Sequence, residues 1–458
     1  MLRNRPDPAE SLAAEVIPLV DACRFLERRA GKILATRRSS RRDRPAWLRG
    51  VSVSARREPL GTVLIIAAGN YPLLLAGVQT LQALVAGNAV LLKPAPGASR
   101  TAVQLQAALA TAGLPPGLLT VLPAAPEMAQ QAIEQGVDKV ILTGSAETGI
   151  AVARSAAAQL TPCTMELSGC DAVFVLSDAD ADRAARCVAF GLGFSGSATC
   201  IAPRRVFVDR RVAAAFSSRL LALLRETPPL PVATSAAEEA ERLINETVQQ
   251  GGKLLAGGIR TCEVLSGMLR PVVLQVETAD LPLMKADLMA PVLAIMEVEG
   301  EDDALRYNDC CPYALGASIF GGTASSTRFA ERVPAGCITI NDSIAPTADP
   351  RVAFGGWKRS GSGVTRGAEG LLEMTRIKAI VTRRSKILPH LLPRKSNLAA
   401  LLSGYLRLAH GGGWKVRLRG LWELGRNLRG GSDRDGETVT GNAQRKEHSR
   451  RRAARTRT

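Results

Sequence analysis

Residues 61–69 read Gly-Thr-Val-Leu-Ile-Ile-Ala-Ala-Gly. Four consecutive branched apolar side chains, with no polar residue alternating between them, spell a strand buried on both faces. An Ala- and Leu-rich segment at 73–85 follows and reads as a helix. The same pair returns three times: strand 89–94 with helix 99–112, strand 118–122 with helix 127–135, and strand 139–143 with helix 147–160. Four strand-then-helix units of this kind predict a parallel sheet covered by helices on both faces, with ligands at the carboxyl ends of its strands. A second α/β block starts near Asp171. It carries helix 183–190, strand 205–208 and helices 212–224 and 236–250. Strands 272–275, 292–296 and 317–319 complete a mixed or parallel sheet. Upstream, 10–37 has helical spacing and 37–49 is strongly basic. The fold class is α/β.

At 458 residues the chain is too long for one ordinary core and predicts two or three domains. No run of 18 apolar residues occurs, and the first residues lack the apolar core of a signal peptide. Nine cysteines without regular spacing fit a reducing compartment better than a disulfide framework. The expectation is a soluble, cytoplasmic protein. Of the net charge of +17, most sits at the end: residues 381–458 hold 19 Lys/Arg against 5 Asp/Glu. Such a tail reads as disordered, or as lying on an anionic membrane through its charge and the apolar stretch 391–408, and 397–410 has the spacing of a short amphipathic helix. Specific nucleic-acid binding is not expected, because few aromatics are interleaved with the charges.

All three histidines (His390, His410, His448) fall in that tail. The body therefore lacks an imidazole base, which argues against Ser-His-Asp and Cys-His catalysis and His-containing zinc sites; no metal is expected. Any proton acceptor must be a carboxylate or a lysine. Cys200, in FSGSATCIAPRR (194–205), is flanked by small residues that leave its sulfur approachable. Glu166, in MELSG, sits in an apolar setting that would make it a better base near neutral pH. Asn70, in GNYP, lies past the first strand, where its amide can serve an oxyanion or simply form a turn. Lys93 ends a strand and can reach a ribose or phosphate. TGSAETG (143–149) follows a strand and opens a helix, as a dinucleotide turn does.

Taken in order, EPLGTVLIIAAGNYPLLL, AGNAVLLKPAP, ILTGSAETG, LTPCTMELSG, the Cys200 stretch and FGGWKRSGSG resemble the aldehyde dehydrogenase superfamily from about Glu58 to Ile380. The short N-terminus, GNYP, VLLKP and LTPCTMEL are most similar to its class 3 or fatty-aldehyde branch. The resemblance implies a dinucleotide-binding domain (1–168), a catalytic domain (169–345), a return segment and bridging element (346–380) and a basic, largely disordered tail (381–458). It implies a homodimer or tetramer that oxidises an aldehyde to an acid with NAD or NADP. Cys200 would attack as thiolate to give a thiohemiacetal, held by the Asn70 amide and the Cys200 N–H. Hydride transfer would leave a thioester, hydrolysed by water activated by Glu166. Lys93 would bind the adenosine ribose, Gly144, Ser145 and Gly149 the pyrophosphate, and Asp287 the nicotinamide ribose.

The chain departs from the family pattern at several points. Ser168 replaces a glycine, Cys170 a lysine, and Ser197-Ala198 a Gly-Gln; Pro96 replaces the glutamate beyond the lysine of LKP, and Met289-Ala290 a Phe-Gly. Pro96 removes an acid that would repel a 2′-phosphate, so NADP is expected to be tolerated. These departures keep two alternatives open. One is a catalytically weakened protein of the same fold that binds or scaffolds; the other is an acyl-thioester reductase.

Overall fold

The computed structural model describes residues 7–258, 266–386, 388–391 and 396–429. It divides into two compact units: residues 1–43 with 53–381, and 44–52 with 382–458. The boundaries expected at 168 and 345 fall inside the first unit, between its two large sheets.

The first sheet is built from β1 (Thr62–Ile66), β2 (Ala89–Lys93), β3 (Leu119–Val121), β4 (Lys139–Gly144) and β5 (Cys163–Leu167). These five run parallel in the order β5-β4-β1-β2-β3. The helices between them are α1 (Leu74–Val85), α2 (Ser99–Thr111), α3 (Pro126–Glu134) and α4 (Ala146–Ala158). Val63, Leu64 and Ile65 have no exposed surface, as a strand covered on both faces requires. Asn88 fixes how β1 and β2 start. Its Oδ1 accepts from the N–H of Leu60 (2.6 Å) and Gly61 (3.0 Å), and its Nδ2 donates to the carbonyls of Ala83 and Met374.

The second sheet contains β6 (Asp171–Val175), β7 (Pro203–Asp209), β8 (Lys253–Ala256), β9 (Val272–Gln275), β10 (Val292–Val298), β11 (Gly316–Phe320) and β12 (Cys337–Ile340). Its order is β8-β9-β10-β7-β6-β11-β12, parallel except for β8. A short strand, β13 (Gly361–Ser362), then returns to the first sheet and pairs antiparallel with β5, placing Gly361 beside Glu166. Through this strand the FGGWKRSGSG segment reaches Glu166. Lys93 ends β2, and Asn70, Ser145 and Ser168 follow carboxyl ends of other strands of the first sheet, whereas Cys200 precedes the amino end of β7. The candidate site lies where these two edges face each other.

In the second unit, α5 (Leu398–His410) and α6 (Trp414–Arg429) form an antiparallel hairpin. The expected helix at 397–410 is present. Order continues to 429, however, where the sequence suggests a largely disordered tail. The reason is close packing between two glycines. A Cβ on Gly420 would lie 2.5 Å from the Leu408 nitrogen and 2.7 Å from the Gly404 oxygen, so only glycine allows this crossing. Asn397 Nδ2 donates to the Asn427 carbonyl, and Arg407 pairs with Glu423. The disorder expected for 430–458, with His448, lies outside the described residues. Among the described residues no helix is long and apolar enough to cross a membrane.

Candidate active site

The loop that carries Cys200 is wound left-handed: φ is +53° at Ser195, +61° at Gly196 and +63° at Ser197. Gly196 is required here, because a Cβ would sit 2.3 Å from the Pro231 carbonyl oxygen. Two groups hold the strained turn. Arg204, 4% exposed, donates through Nη1 to Ser197 Oγ (2.7 Å) and Ala290 O (2.6 Å), and through Nη2 to Ser197 O (2.6 Å). Burial lowers its pKa to about 10, so it remains a cation at neutral pH. From the first sheet, Asn70 Nδ2 donates to Ala198 O (3.0 Å), and Tyr71 Oη lies 2.8 Å from Thr199 Oγ1. The departure at Ser197-Ala198 is thus absorbed: the serine hydroxyl and carbonyl both serve Arg204, and the alanine carbonyl serves Asn70.

Cys200 is half-buried. Burial pushes its thiol pKa up, Glu166 and Asp171 push it further, and the Arg366 guanidinium opposes them. Glu166 sits within β5, paired with Thr143 on one side and Gly361 on the other, and is 2% exposed. Its Oε2 accepts from Thr365 Oγ1 at 2.8 Å. Burial raises its pKa, against Arg366 and the Thr365 hydroxyl, which lower it. Cys200 and Glu166 line one cavity of about 230 Å³. Its other walls are mainly apolar, among them Leu74, Leu75, Phe190, Phe194 and Ile344.

A second group of residues lies along the carboxyl edge of the first sheet. Lys93 is 6% exposed, and burial lowers its pKa against the attraction of Glu127. Ser145 caps the 13-residue α4, its Oγ accepting from Thr148 N at 3.2 Å. Gly149 lets α4 approach β5: a Cβ there would lie 2.6 Å from Leu167 Cδ1. Ser168 donates to the Gly144 carbonyl at 3.4 Å. Burial raises the Asp287 pKa, the neighbouring Ser168 hydroxyl opposing it, and Asp287 Oδ1 is buried with no hydrogen-bond partner. An orphaned acceptor, a buried ammonium and a capped helix N-terminus fit a dinucleotide, whose ribose hydroxyls donate and whose phosphates accept. Pro96 is exposed near Lys93 and brings no carboxylate there.

The structure therefore brings Cys200 and Glu166 into one cavity and joins Asn70 to the Cys200 loop. It keeps Lys93, Gly144, Ser145 and Gly149 along the sheet edge, and Asp287 beside Ser168. Sequence reasoning misses Arg204, Tyr71, Thr365 and Arg366. It also misses two carboxylates of the N-terminal helical segment. Glu15, 2% exposed, accepts through Oε2 from the N–H of Leu73 (2.7 Å) and Leu74 (2.8 Å), and Glu10 Oε1 accepts from Ser195 N at 2.6 Å. Nothing in their local pattern separates these residues from solvent-facing helix carboxylates. Among the described residues no group of three or more His, Cys, Asp or Glu gathers to hold a metal ion.

A sequence model of the aldehyde dehydrogenase family matches residues 3–380. The chain belongs to the aldehyde dehydrogenase family. It is 32% identical to betaine aldehyde dehydrogenase 2 of Rhizobium meliloti over 72% of this chain and 70% of that one. It is 29% identical to 4,4'-diapolycopene aldehyde oxidase of a Methylomonas species, over 88% and 77% of the two chains. Among solved structures it is similar to an aldehyde dehydrogenase of Mycobacterium tuberculosis complexed with NAD+. That match has a TM-score of 0.76 at 26% identity, covering 83% of this chain and 80% of the other. It is similar also to glyceraldehyde-3-phosphate dehydrogenase GapN of Methanocaldococcus jannaschii complexed with NADP, with a TM-score of 0.70 at 26% identity over 80% and 82%. This aldehyde dehydrogenase is an oxidoreductase that oxidises aldehydes with NAD(P)+.

Proposed function

We propose that Cys200 is the nucleophile and Glu166 the base of this oxidation. The observation that carries the assignment is that a half-buried thiol and a buried carboxylate share one apolar cavity. The Cys200 thiol gives its proton to water, its sulfur forms a bond to the carbonyl carbon, and the carbonyl electron pair moves to oxygen. The Asn70 side-chain amide, which also holds Ala198 O, and the Cys200 N–H would stabilise that oxyanion. NAD(P)+, when bound, would supply the hydride acceptor needed for the thiohemiacetal to become a thioester. Lys93, the Gly144-Ser145 turn with Gly149, and Asp287 hold that cofactor. Glu166 then takes a proton from water, the water oxygen attacks the thioester carbon, and the Cys200 sulfur leaves with its electron pair, releasing a carboxylic acid. A carboxylate whose pKa is raised by burial suits this proton transfer near neutral pH.

Glu166→Gln tests the assignment. It should give a burst of about one NAD(P)H per site followed by turnover lowered about 10²–10⁴-fold, the usual range for a lost general base. In the native chain kcat should fall as pH drops through a value above the ordinary carboxylate range, because Glu166 must be deprotonated to act. An unchanged steady-state rate in the mutant would refute the role.

The substrate we propose is a medium or long apolar aldehyde, in keeping with the class 3 or fatty-aldehyde branch. Support comes from the leucine, isoleucine and phenylalanine walls of the cavity and from a relative named for diapolycopene aldehyde. A homodimer or tetramer in the cytoplasm is proposed with it; eight described cysteines are free. The α5–α6 hairpin is proposed to rest on an anionic membrane. It exposes Leu402, Leu406, Trp414, Leu418 and Trp422, with Lys415 and Arg417 between them and Arg426 over the Trp422 ring.

A further inference from the structure

Arg366 is the one strongly basic side chain lining the cavity of Cys200 and Glu166. It is 8% exposed and adopts a positive φ of +60°. For a non-glycine residue such a backbone is costly and persists only where its surroundings over-determine it. Those surroundings are specific. Nη1 donates to the Thr347 carbonyl at 2.6 Å, and the guanidinium carbon stacks 4.3 Å from the Phe354 ring centroid. Nε is buried and has no hydrogen-bond partner. Among the described residues no carboxylate forms an ion pair with Arg366; the nearby Glu166 directs Oε2 to Thr365 instead. A buried guanidinium without a paired anion destabilises the fold, and here it lines the cavity proposed to take the aldehyde.

We propose that Arg366 is a specificity-determining residue that sets the charge selectivity of this site: aldehydes bearing an ammonium group are rejected, and neutral or carboxylate-bearing aldehydes are admitted. The inference rests on the cavity being the aldehyde site, as proposed above. Two unit charges a few ångströms apart at a protein-like dielectric repel strongly enough to weaken binding on the order of a hundredfold; attraction to the Glu166 carboxylate in the same cavity offsets part of that and leaves a preference of about tenfold or more. The selectivity is notable beside betaine aldehyde dehydrogenase 2, a relative named for a cationic aldehyde.

The test compares betaine aldehyde with tert-butylacetaldehyde, which has the same shape and replaces the quaternary nitrogen by carbon. Because each enzyme serves as its own reference, the readout is the ratio of the two kcat/KM values and does not depend on how much protein folds. The native chain should prefer the neutral aldehyde by about tenfold or more. Arg366→Leu should bring the ratio to within about threefold of unity, while Arg366→Lys, which keeps the charge, should preserve the preference. Choline, a non-reacting cation, should inhibit Arg366→Leu more strongly than the native chain. Equal use of both aldehydes by the native chain, or an unchanged ratio in Arg366→Leu, overturns the inference and leaves the dehydrogenase reading standing. Absence of turnover with both aldehydes and with every aldehyde of a wider aliphatic and aromatic panel, in folded protein, overturns that reading and the inference with it.

Discussion

Replacing Glu15 by alanine should weaken the enzyme far more than a surface helix substitution does. Glu15 is 58 residues from Leu73 in sequence, yet its Oε2 receives the N–H groups of Leu73 and Leu74 at 2.7 and 2.8 Å. These are free donors at the start of α1, and the carboxylate closes them off inside a cluster containing Ala14, Leu19, Tyr71 and Leu75. A hydrogen bond to a charged group contributes about 1.5–3 kcal/mol net, and an abandoned buried donor costs a similar amount. Water entering the vacated space recovers part of that, so Glu15→Ala should lose about 3–4 kcal/mol. Glu15→Gln keeps an acceptor and loses the charge, and about 1–2 kcal/mol is expected. Urea unfolding followed by fluorescence reads both values, provided the slopes agree. Because Asn70 stands three residues before Leu73 and holds the Cys200 loop, kcat should fall in the same order, with the aldehyde KM changing less. A loss under about 1 kcal/mol in Glu15→Ala, or a glutamine variant no better than the alanine one, would refute this reasoning.

Two further outcomes follow from the cofactor edge and the hairpin. With Pro96 in place, the NADP Kd should lie within about a hundredfold of the NAD Kd, a gap of ~2.7 kcal/mol. Pro96→Glu should widen the preference for NAD by about tenfold or more through repulsion of the 2′-phosphate, and an unchanged Kd ratio in fluorescence titration would contradict that account. The full chain should co-sediment with phosphatidylserine vesicles and not with neutral ones, and glutamates at Leu402, Leu406 and Leu418 should abolish pelleting. Equal pelleting of native and substituted chains would remove the hairpin from the membrane.

Much of the fold is legible in the sequence because its strands are uninterrupted apolar runs. GTVLIIAAG and its successors could satisfy their burial only between helix layers, and Cys200 and Glu166 stood out as reactive groups in small or apolar settings. The rest depends on tertiary context. Arg366 comes 200 residues after Glu166, and its place in the cavity follows from the β13 return and a left-handed backbone that no local pattern announces. Glu15 reads as one more polar residue of an amphipathic helix until the start of α1 is placed against it. The α5–α6 hairpin was hidden for another reason. Its basic, Gly-containing composition suggests disorder, while its stability comes from the close approach of Gly404 and Gly420, two positions whose spacing carries no signal before the chain turns back.

The most direct measurement of the central claim is NAD(P)H formation, followed by absorbance, with a panel of aliphatic and aromatic aldehydes, comparing the native chain with Cys200→Ala. The account predicts turnover that favours apolar aldehydes in the native chain and none above background in the mutant. Turnover that survives in Cys200→Ala, or its absence with every aldehyde in a native chain shown to be folded and to bind NAD(P)+, would contradict it.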